Sequence, residues 1–224
     1  MPRQLYLVRH GETEANRLRI IQGQNKRWSS STYGDNLNPT GVKQAVLLGK
    51  TLADIDFKFV FTSPAIRAHV TAKIVLSYNN HWTQTFTEET SLRGEDGLLE
   101  VDQGLFEGMV VDKIKHKYRK LYNLYHIKPS QFIFPLGESM IVFKKRVGQT
   151  IDRILNKDKI FEKNILVVSH AGTITMALIH IFGLNMDKMY HAIRHNNCAF
   201  SIIEWPLPSS PPRIECLNNS SHLK

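Results

Sequence analysis

Cysteine is scarce in this chain of 224 residues: Cys198 and Cys216 are its two copies. Two thiols cannot build a disulfide framework, which excludes the small stapled folds of secreted proteins. The expectation is a reducing, cytoplasmic setting with two inert thiols, where the sequons at Asn218 and Asn219 carry no meaning. Long apolar runs are lacking as well. No stretch approaches the ~18 apolar residues of a membrane span, and the opening Met1 to His10 meets Arg3 before a signal-peptide core can form. No membrane association and no export are therefore expected. With Gly 13 and Pro 9, and with 42% hydrophobic and 22% charged residues, the composition excludes a fibre or a disordered chain. Acidic residues are few beside basic ones, Asp+Glu 20 against Lys+Arg 29, for a formal net charge of +9. Such a chain attracts polyanions or small anionic substrates over long range, and charge alone does not choose between nucleic acid and phosphate ester. The length is one at which a single domain, 1–224, buries a substantial core.

Extended and helical patterns alternate along the chain. Leu5–Val8, Phe57–Phe61 and Ile165–Val168 read as short buried strands, Gln84–Thr87 as a weaker one, and Ala199–Trp205 alternates like an outer strand. Between them lie four helical stretches. The first runs from an N-cap at Thr40 to about Leu52, with Val42, Ala45, Val46 and Leu48 or Gly49 as its apolar stripe. The second runs from Ala65 to about Ser77, behind Pro64, whose missing N–H does no harm at a helix start. The third spans Ser139 to about Leu155 and carries Met140, Ile141, Val142, Val147, Ile151 and Leu155. The fourth spans Gly172 to Phe182. This alternation predicts a three-layer α/β/α sandwich around a mostly parallel sheet. Residues 208–212 read as a surface connection between two late strands. The densest basic run, Lys113 to Lys120, continues to Tyr125 with Ile114, Tyr118, Leu121 and Tyr125 at helical spacing. It reads as an amphipathic helix with a solvated basic face rather than a nucleic-acid site, since no binding motif accompanies it.

Three strands end in chemistry-bearing residues: Arg9-His10, Ser63-Pro64 leading to Arg67, and Ser169-His170. At the carboxyl edge of an α/β sheet these tips can lie side by side, placing Arg9, His10, Arg67 and His170 around one pocket. Such a cup is cationic and offers no Asp or Cys at metal-ligand spacing. A phosphoryl group fits it, because guanidinium forks match phosphate oxygens and helix-start N–H groups add partial positive charge. Each residue also has a bland reading. His10 alone would be a satisfied core histidine, and Arg67 a helix-surface ion-pair partner. His191 and His195, four apart, could clasp a metal on a helix, but no third ligand follows.

The stretch Leu7-Val8-Arg9-His10-Gly11-Glu12-Thr13, followed by Asn16 and Gln22-Gly23, resembles the signature of the histidine phosphatase superfamily, the phosphoglycerate-mutase-like proteins. The resemblance continues through Leu37 to Gly41 with Gln44-Ala45, Ser63-Pro64 with Arg67-Ala68, and Glu100 with Gly104 and Phe106-Glu107-Gly108. It ends with Gly137-Glu138-Ser139, Ser169-His170-Ala171-Gly172 and the tail Leu217 to Leu223. It spans nearly the whole chain in order. It implies a cofactor-free, metal-independent phosphatase in which His10 is the nucleophile. Arg9, Arg67, His170, Asn16 and the backbone N–H groups near Gly11 and Gly172 would take phosphoryl oxygens. The family's acid-then-glycine spacing implies Glu100 as the proton donor, with Glu107 structural and Asp102 a solvated neighbour. Thr13, Gln22 and Gly23 would lie on the substrate rim.

The sequence also departs from the family. Gln24 to Asn36 is longer than usual and could form a rim or lid. Ser-His-Ala-Gly stands where Ser-His-Gly-Gly is common, and His69, beside Arg67, reads as helix surface. Leu98 to Gly104 bears a faint similarity to sugar-bisphosphatase members. The expected partner is a small anionic phosphorylated metabolite, with side chains that read its leaving group on residues 24–36 and 109–136. The alternatives are a phosphoglycerate mutase using the same intermediate, an inactive phospholigand-binding module, and a basic nucleic-acid binder.

Overall fold

Side-chain alternation along the strands decides the layers. The computed structural model describes residues 3–24, 35–82, 92–155, 163–207 and 210–224. Its strands are β1 (Arg3–Arg9), β2 (Phe57–Thr62), β3 (Leu92–Gly94), β4 (Asn164–Ser169), β5 (Phe200–Trp205) and β6 (Arg213–Asn219). They form one sheet in the order β3-β2-β4-β1-β5-β6, with every pairing parallel except those on either side of β5. Leu5 and Leu7 of β1, with Ile165 and Val167 of β4, join one core; Tyr6 and Val8, with Leu166 and Val168, join the other. A strand buried on both faces is apolar at every position for this reason.

The helices are α1 (Glu14–Arg17), α2 (Pro39–Thr51), α3 (Ile66–Ser77), α4 (Val111–Lys117), α5 (Arg119–Ile127), α6 (Met140–Leu155), α7 (Ala171–Ile181) and α8 (Met186–Met189). Residues of α6 and α7 fill the first core and residues of α2 and α3 the second, which makes the expected α/β/α sandwich. Among the described residues no helix is long and apolar enough to cross a membrane. Cys198 is buried, which pushes its thiol up to about 12, and Cys216 is half-buried with its thiol also raised by burial; both are free.

Several local expectations need correction. The N-cap of α2 is Asn38, not Thr40: its side chain accepts from Gly41 N at 2.8 Å, and Pro39 occupies the first turn, where its fixed φ suits a helix and its missing N–H costs nothing. In α6, Ile141 and Val142 are more than half exposed, and the buried arc is Met140, Phe143, Val147, Ile151 and Ile154, whose spacing of three and four keeps to one face. Val42 of α2 is likewise exposed. The basic stretch is two helices broken at Tyr118, although Ile114 is buried and Tyr118, Leu121 and Tyr125 still pack on the core. Gln84–Thr87 lies outside the described residues, and the edge strand is Leu92–Gly94.

Phe143 and Val142 separate these readings in a stability measurement. Phe143→Ala should cost about 3–5 kcal/mol in denaturant unfolding, whereas Val142→Ala should stay within about 0.5 kcal/mol. Similar losses for both would contradict the assigned core face.

Candidate active site

Because β2, β4 and β1 are neighbours, their carboxyl tips emerge side by side, carrying Ser63, His170 and His10. The His10 and His170 rings stand 5.2 Å apart between centroids, both buried. His10 Nδ1 lies 2.7 Å from the Gly11 carbonyl. A carbonyl only accepts, so Nδ1 carries the proton and Nε2 keeps its lone pair. Burial, with the Arg67 and Arg9 charges beside it, holds the His10 imidazole well below its ordinary value. His170 is lowered in the same way, by burial first and then by Arg67. Its Nε2 is 2.8 Å from Ser63 Oγ. Ser63 Oγ also accepts from Ala65 N, and with two lone pairs and one proton it can either give or take the hydrogen in its contact with His170.

The guanidinium groups are anchored at one end. Arg9 Nη1 donates to the His195 carbonyl at 2.6 Å, and burial pushes its value down to about 10. Arg67, 2% exposed, pairs with Asp35 through Nη1 and donates from Nη2 to the Gly23 carbonyl at 2.8 Å. Asp35 also accepts from Ile66 N at the start of α3. It belongs to the 24–36 stretch expected to be a rim or lid, of which residues 25–34 lie outside the described residues, and it braces Arg67. Nothing in the sequence pattern marked it. His69 is half-buried on α3.

Thr13 caps α1, and its hydroxyl donates to Gln22 Oε1 at 2.8 Å. Asn16 Nδ2 donates to the same oxygen, while Asn16 Oδ1 accepts from Asn197 Nδ2 at 3.0 Å. Asn197 Nδ2 also reaches the His10 carbonyl at 3.1 Å, a bridge from the segment before β5 that sequence reading did not single out. Four buried nitrogens of this cluster, Arg9 Nε, Gln22 Nε2, Arg67 Nε and His170 Nδ1, have no hydrogen-bond partner among the described residues.

The expected backbone donors are placed differently. Gly11 N donates to Thr71 Oγ1 at 3.0 Å, and a Cβ at Gly11 would stand 2.6 Å from the Gly41 carbonyl. This glycine lets the loop after His10 touch the start of α2, and its N–H is already taken by Thr71. Gly172 N donates to Glu100 Oε2 at 3.1 Å. Glu100 Oε1 accepts from Val101 N at 3.0 Å. Tyr190, whose hydroxyl burial raises well above its ordinary value, converges on the same spot: a Cβ at Gly172 would sit 2.5 Å from Glu100 Oε1 and 2.7 Å from Tyr190 Oη.

Arg146 holds the loop that presents Glu100, another contribution that sequence reading missed. Its Nη1 donates to the Gly97 and Leu99 carbonyls at 3.0 Å, its Nη2 to the Glu100 carbonyl at 3.3 Å, and its Nε and Nη2 grip Glu138. The landmark Gly137-Glu138-Ser139 is a structural clamp on the acid loop. Glu107 is buried under Gly23 and accepts from Gln24 N, and Asp102 caps Gly104, where φ is positive. His191 and His195 do not share a helix: both follow α8, and His191 Nε2 donates to the Tyr125 carbonyl. Among the described residues no group of three or more His, Cys, Asp or Glu side chains could hold a metal ion.

Two measurements test this geometry. In the ligand-free protein the His10 imidazole should remain unprotonated as pH falls through about 6.5, the ordinary histidine value, because its own value is lowered. Nitrogen-15 NMR of labelled histidine reads this directly, and a His10 midpoint near 6.5 would contradict it. Gly172→Ala should displace the Glu100 carboxylate, breaking its contacts with Gly172 N and Val101 N in a structure of the variant, and an unmoved carboxylate would contradict the close approach.

Comparisons with known proteins converge on one family. The chain matches the Histidine phosphatase superfamily (branch 1) over residues 5–219. It is 25% identical over 199 residues to phosphoserine phosphatase 1 of Hydrogenobacter thermophilus, covering 89% of this chain and 85% of that protein. It is 27% identical over 224 residues to a probable phosphoglycerate mutase of Erwinia tasmaniensis, covering 99% and 95%. Among solved structures, Bacillus stearothermophilus YhfR superposes with a TM-score of 0.82 at 22% identity, covering 99% of this chain and 100% of that one, so the fold is shared. A match over nearly the whole chain, with both histidines and both arginines gathered at one sheet edge, places this protein in the histidine phosphatase superfamily, branch 1.

Proposed function

We propose that this protein hydrolyses small anionic phosphomonoesters through a phosphohistidine at His10, with no metal or other cofactor. The observation that carries the reading is the state of the His10 ring. It is neutral, its Nδ1–H is held by the Gly11 carbonyl, and Nε2 is left as a nucleophile beside two guanidinium groups. The N–H groups on Arg9, Gln22 and Arg67 that are unpaired among the described residues support it, because phosphoryl oxygens only accept hydrogen bonds.

In the first step the Nε2 lone pair forms a bond to phosphorus, and the bond from phosphorus to the ester oxygen breaks. Arg9 and Arg67 stabilise the charge on the equatorial oxygens, as a metal does elsewhere, and protonated Glu100 gives its proton to the leaving alkoxide. In the second step Glu100 takes a proton from water as that water attacks phosphorus. The nitrogen–phosphorus bond breaks, and His10 returns neutral beside inorganic phosphate. Thr13 and Gln22 shape the rim of the phosphoryl cup, and Asn16 keeps it attached to the strand end through Asn197.

Two names among the relatives, a phosphatase and a probable mutase, share the first step and differ in what accepts the phosphoryl group. The compact stretch from Phe106-Glu107-Gly108 to Gly137-Glu138-Ser139 favours the phosphatase branch. The test uses metal-stripped protein in chelator with a panel of phosphate esters. Inorganic phosphate should be released, an acid-labile and base-stable adduct should be trapped on His10, and His10→Ala should lose turnover by at least roughly 10³-fold. With 3-phosphoglycerate and a bisphosphoglycerate primer, release should outrun isomerisation. Full activity of His10→Ala, or an absolute need for a divalent ion, would overturn the mechanism.

A further inference from the structure

On the assumption that the leaving oxygen is protonated by Glu100, the rest of the leaving group must begin where Glu100 meets Gly172. A groove of ≈ 560 Å³ opens at that point and shares Arg9 and Gly172 with the phosphoryl cup. Its walls are the first turn of α7, at Ala171, Gly172 and Thr175, and the segment from Tyr190 to Asn196, with His126 closing the far end. The Tyr190 hydroxyl, converging with Glu100 on Gly172, stands at its inner mouth.

The chemistry of this groove is one-sided. Its lining carries two arginines, Arg9 and Arg194, and three imidazoles, His126, His191 and His195, and includes no carboxylate. Arg194 is exposed, and no residue of the protein pairs with it among those described. His195 is 4% exposed, and neither of its ring nitrogens has a partner among the described residues. His126 and His191 are stacked at 4.3 Å and 10°, and Tyr122 stacks on His126 at 4.1 Å. Both stacked imidazoles donate one nitrogen to a backbone carbonyl, His126 Nδ1 to Tyr122 and His191 Nε2 to Tyr125. Their other nitrogens are therefore lone-pair acceptors in the neutral ring. A free guanidinium beside two imidazole acceptors suits a leaving group that bears an anion together with a hydroxyl or ammonium donor.

We propose that this groove is the leaving-group subsite and that Arg194 selects phosphomonoesters whose leaving group carries a second anionic group. This places leaving-group recognition mainly on residues 190–196, with His126 contributed by the 109–136 stretch. The subsite rests on the catalytic reading above for its orientation, but ligand binding judges it separately.

The experiment measures equilibrium binding by calorimetry to His10→Ala, with and without Arg194→Gln or Arg194→Lys. The paired probes are O-phosphoserine against phosphoethanolamine, which lacks the carboxylate, and a sugar bisphosphate against the corresponding monophosphate. His10→Ala should prefer the member with the second anion in at least one pair. Arg194→Gln should reduce that preference ratio about tenfold, the scale of one charged hydrogen bond, and Arg194→Lys should restore part of it. Preference in the first pair identifies a carboxylate, and in the second a phosphate. No preference in either pair, or an unchanged ratio in Arg194→Gln, would overturn the proposal. Failure of the wild-type protein to hydrolyse any ester, p-nitrophenyl phosphate included, would overturn the catalytic reading while leaving the binding ratios to decide the groove.

Discussion

Two guanidinium groups and two imidazoles are buried against one another at the edge of a single sheet, and the surrounding structure answers that constraint. Removing like charges from water is unfavourable unless partners are supplied. The protein supplies them on one side: Asp35 and the Gly23 carbonyl for Arg67, the His195 carbonyl for Arg9, and Glu100 as the strongest opposing charge on Arg9. The same crowding keeps both imidazoles neutral. A neutral buried imidazole and a cluster of positive charge, the two features on which the proposed mechanism rests, are thus consequences of one electrostatic arrangement.

Close backbone approach makes that arrangement possible. Gly11 rests against Gly41, and Gly172 admits both Glu100 and Tyr190. Side chains at either place would push apart the loop after His10 and α2, or Glu100 and the start of α7. The acid is in turn held by Arg146, which gathers the carbonyls of residues 97, 99 and 100 and is itself fixed by Glu138. Residues far apart in the chain therefore serve one carboxyl group, and the rigid elements beneath, α6 and the sheet, carry the positioning.

Strand and helix existence was legible because it follows from local period. Continuous apolar runs such as Leu5–Val8 and Ile165–Val168 can only be buried on both faces, and that demands helices on both sides of the sheet. Helix faces were less legible. Ile141 and Val142 are apolar but fall off the buried arc, since which 100° sector meets the sheet depends on how α6 lies on α7 and not on composition. Asn38 displaced Thr40 as the cap because Pro39 can begin a helix and cannot precede one as an ordinary donor.

The order of the motifs determined the family and the side chains at its centre, His10, Arg9, Arg67 and His170, because each follows a strand end or starts a helix and so reports its own position. Tertiary structure alone decided what surrounds them. Asp35, Asn197, Arg146 and Tyr190 act through contacts across 32, 187, 46 and 18 residues of chain, with Arg67, His10, Glu100 and Gly172 respectively. Spacing within a sequence carries no record of such partners, since folding, rather than local preference, brings them within hydrogen-bonding or van der Waals reach. The wall of the proposed subsite is of the same kind: His126 and His191 come from separate elements, and their stack exists only once α5 has packed beside the segment that follows α8.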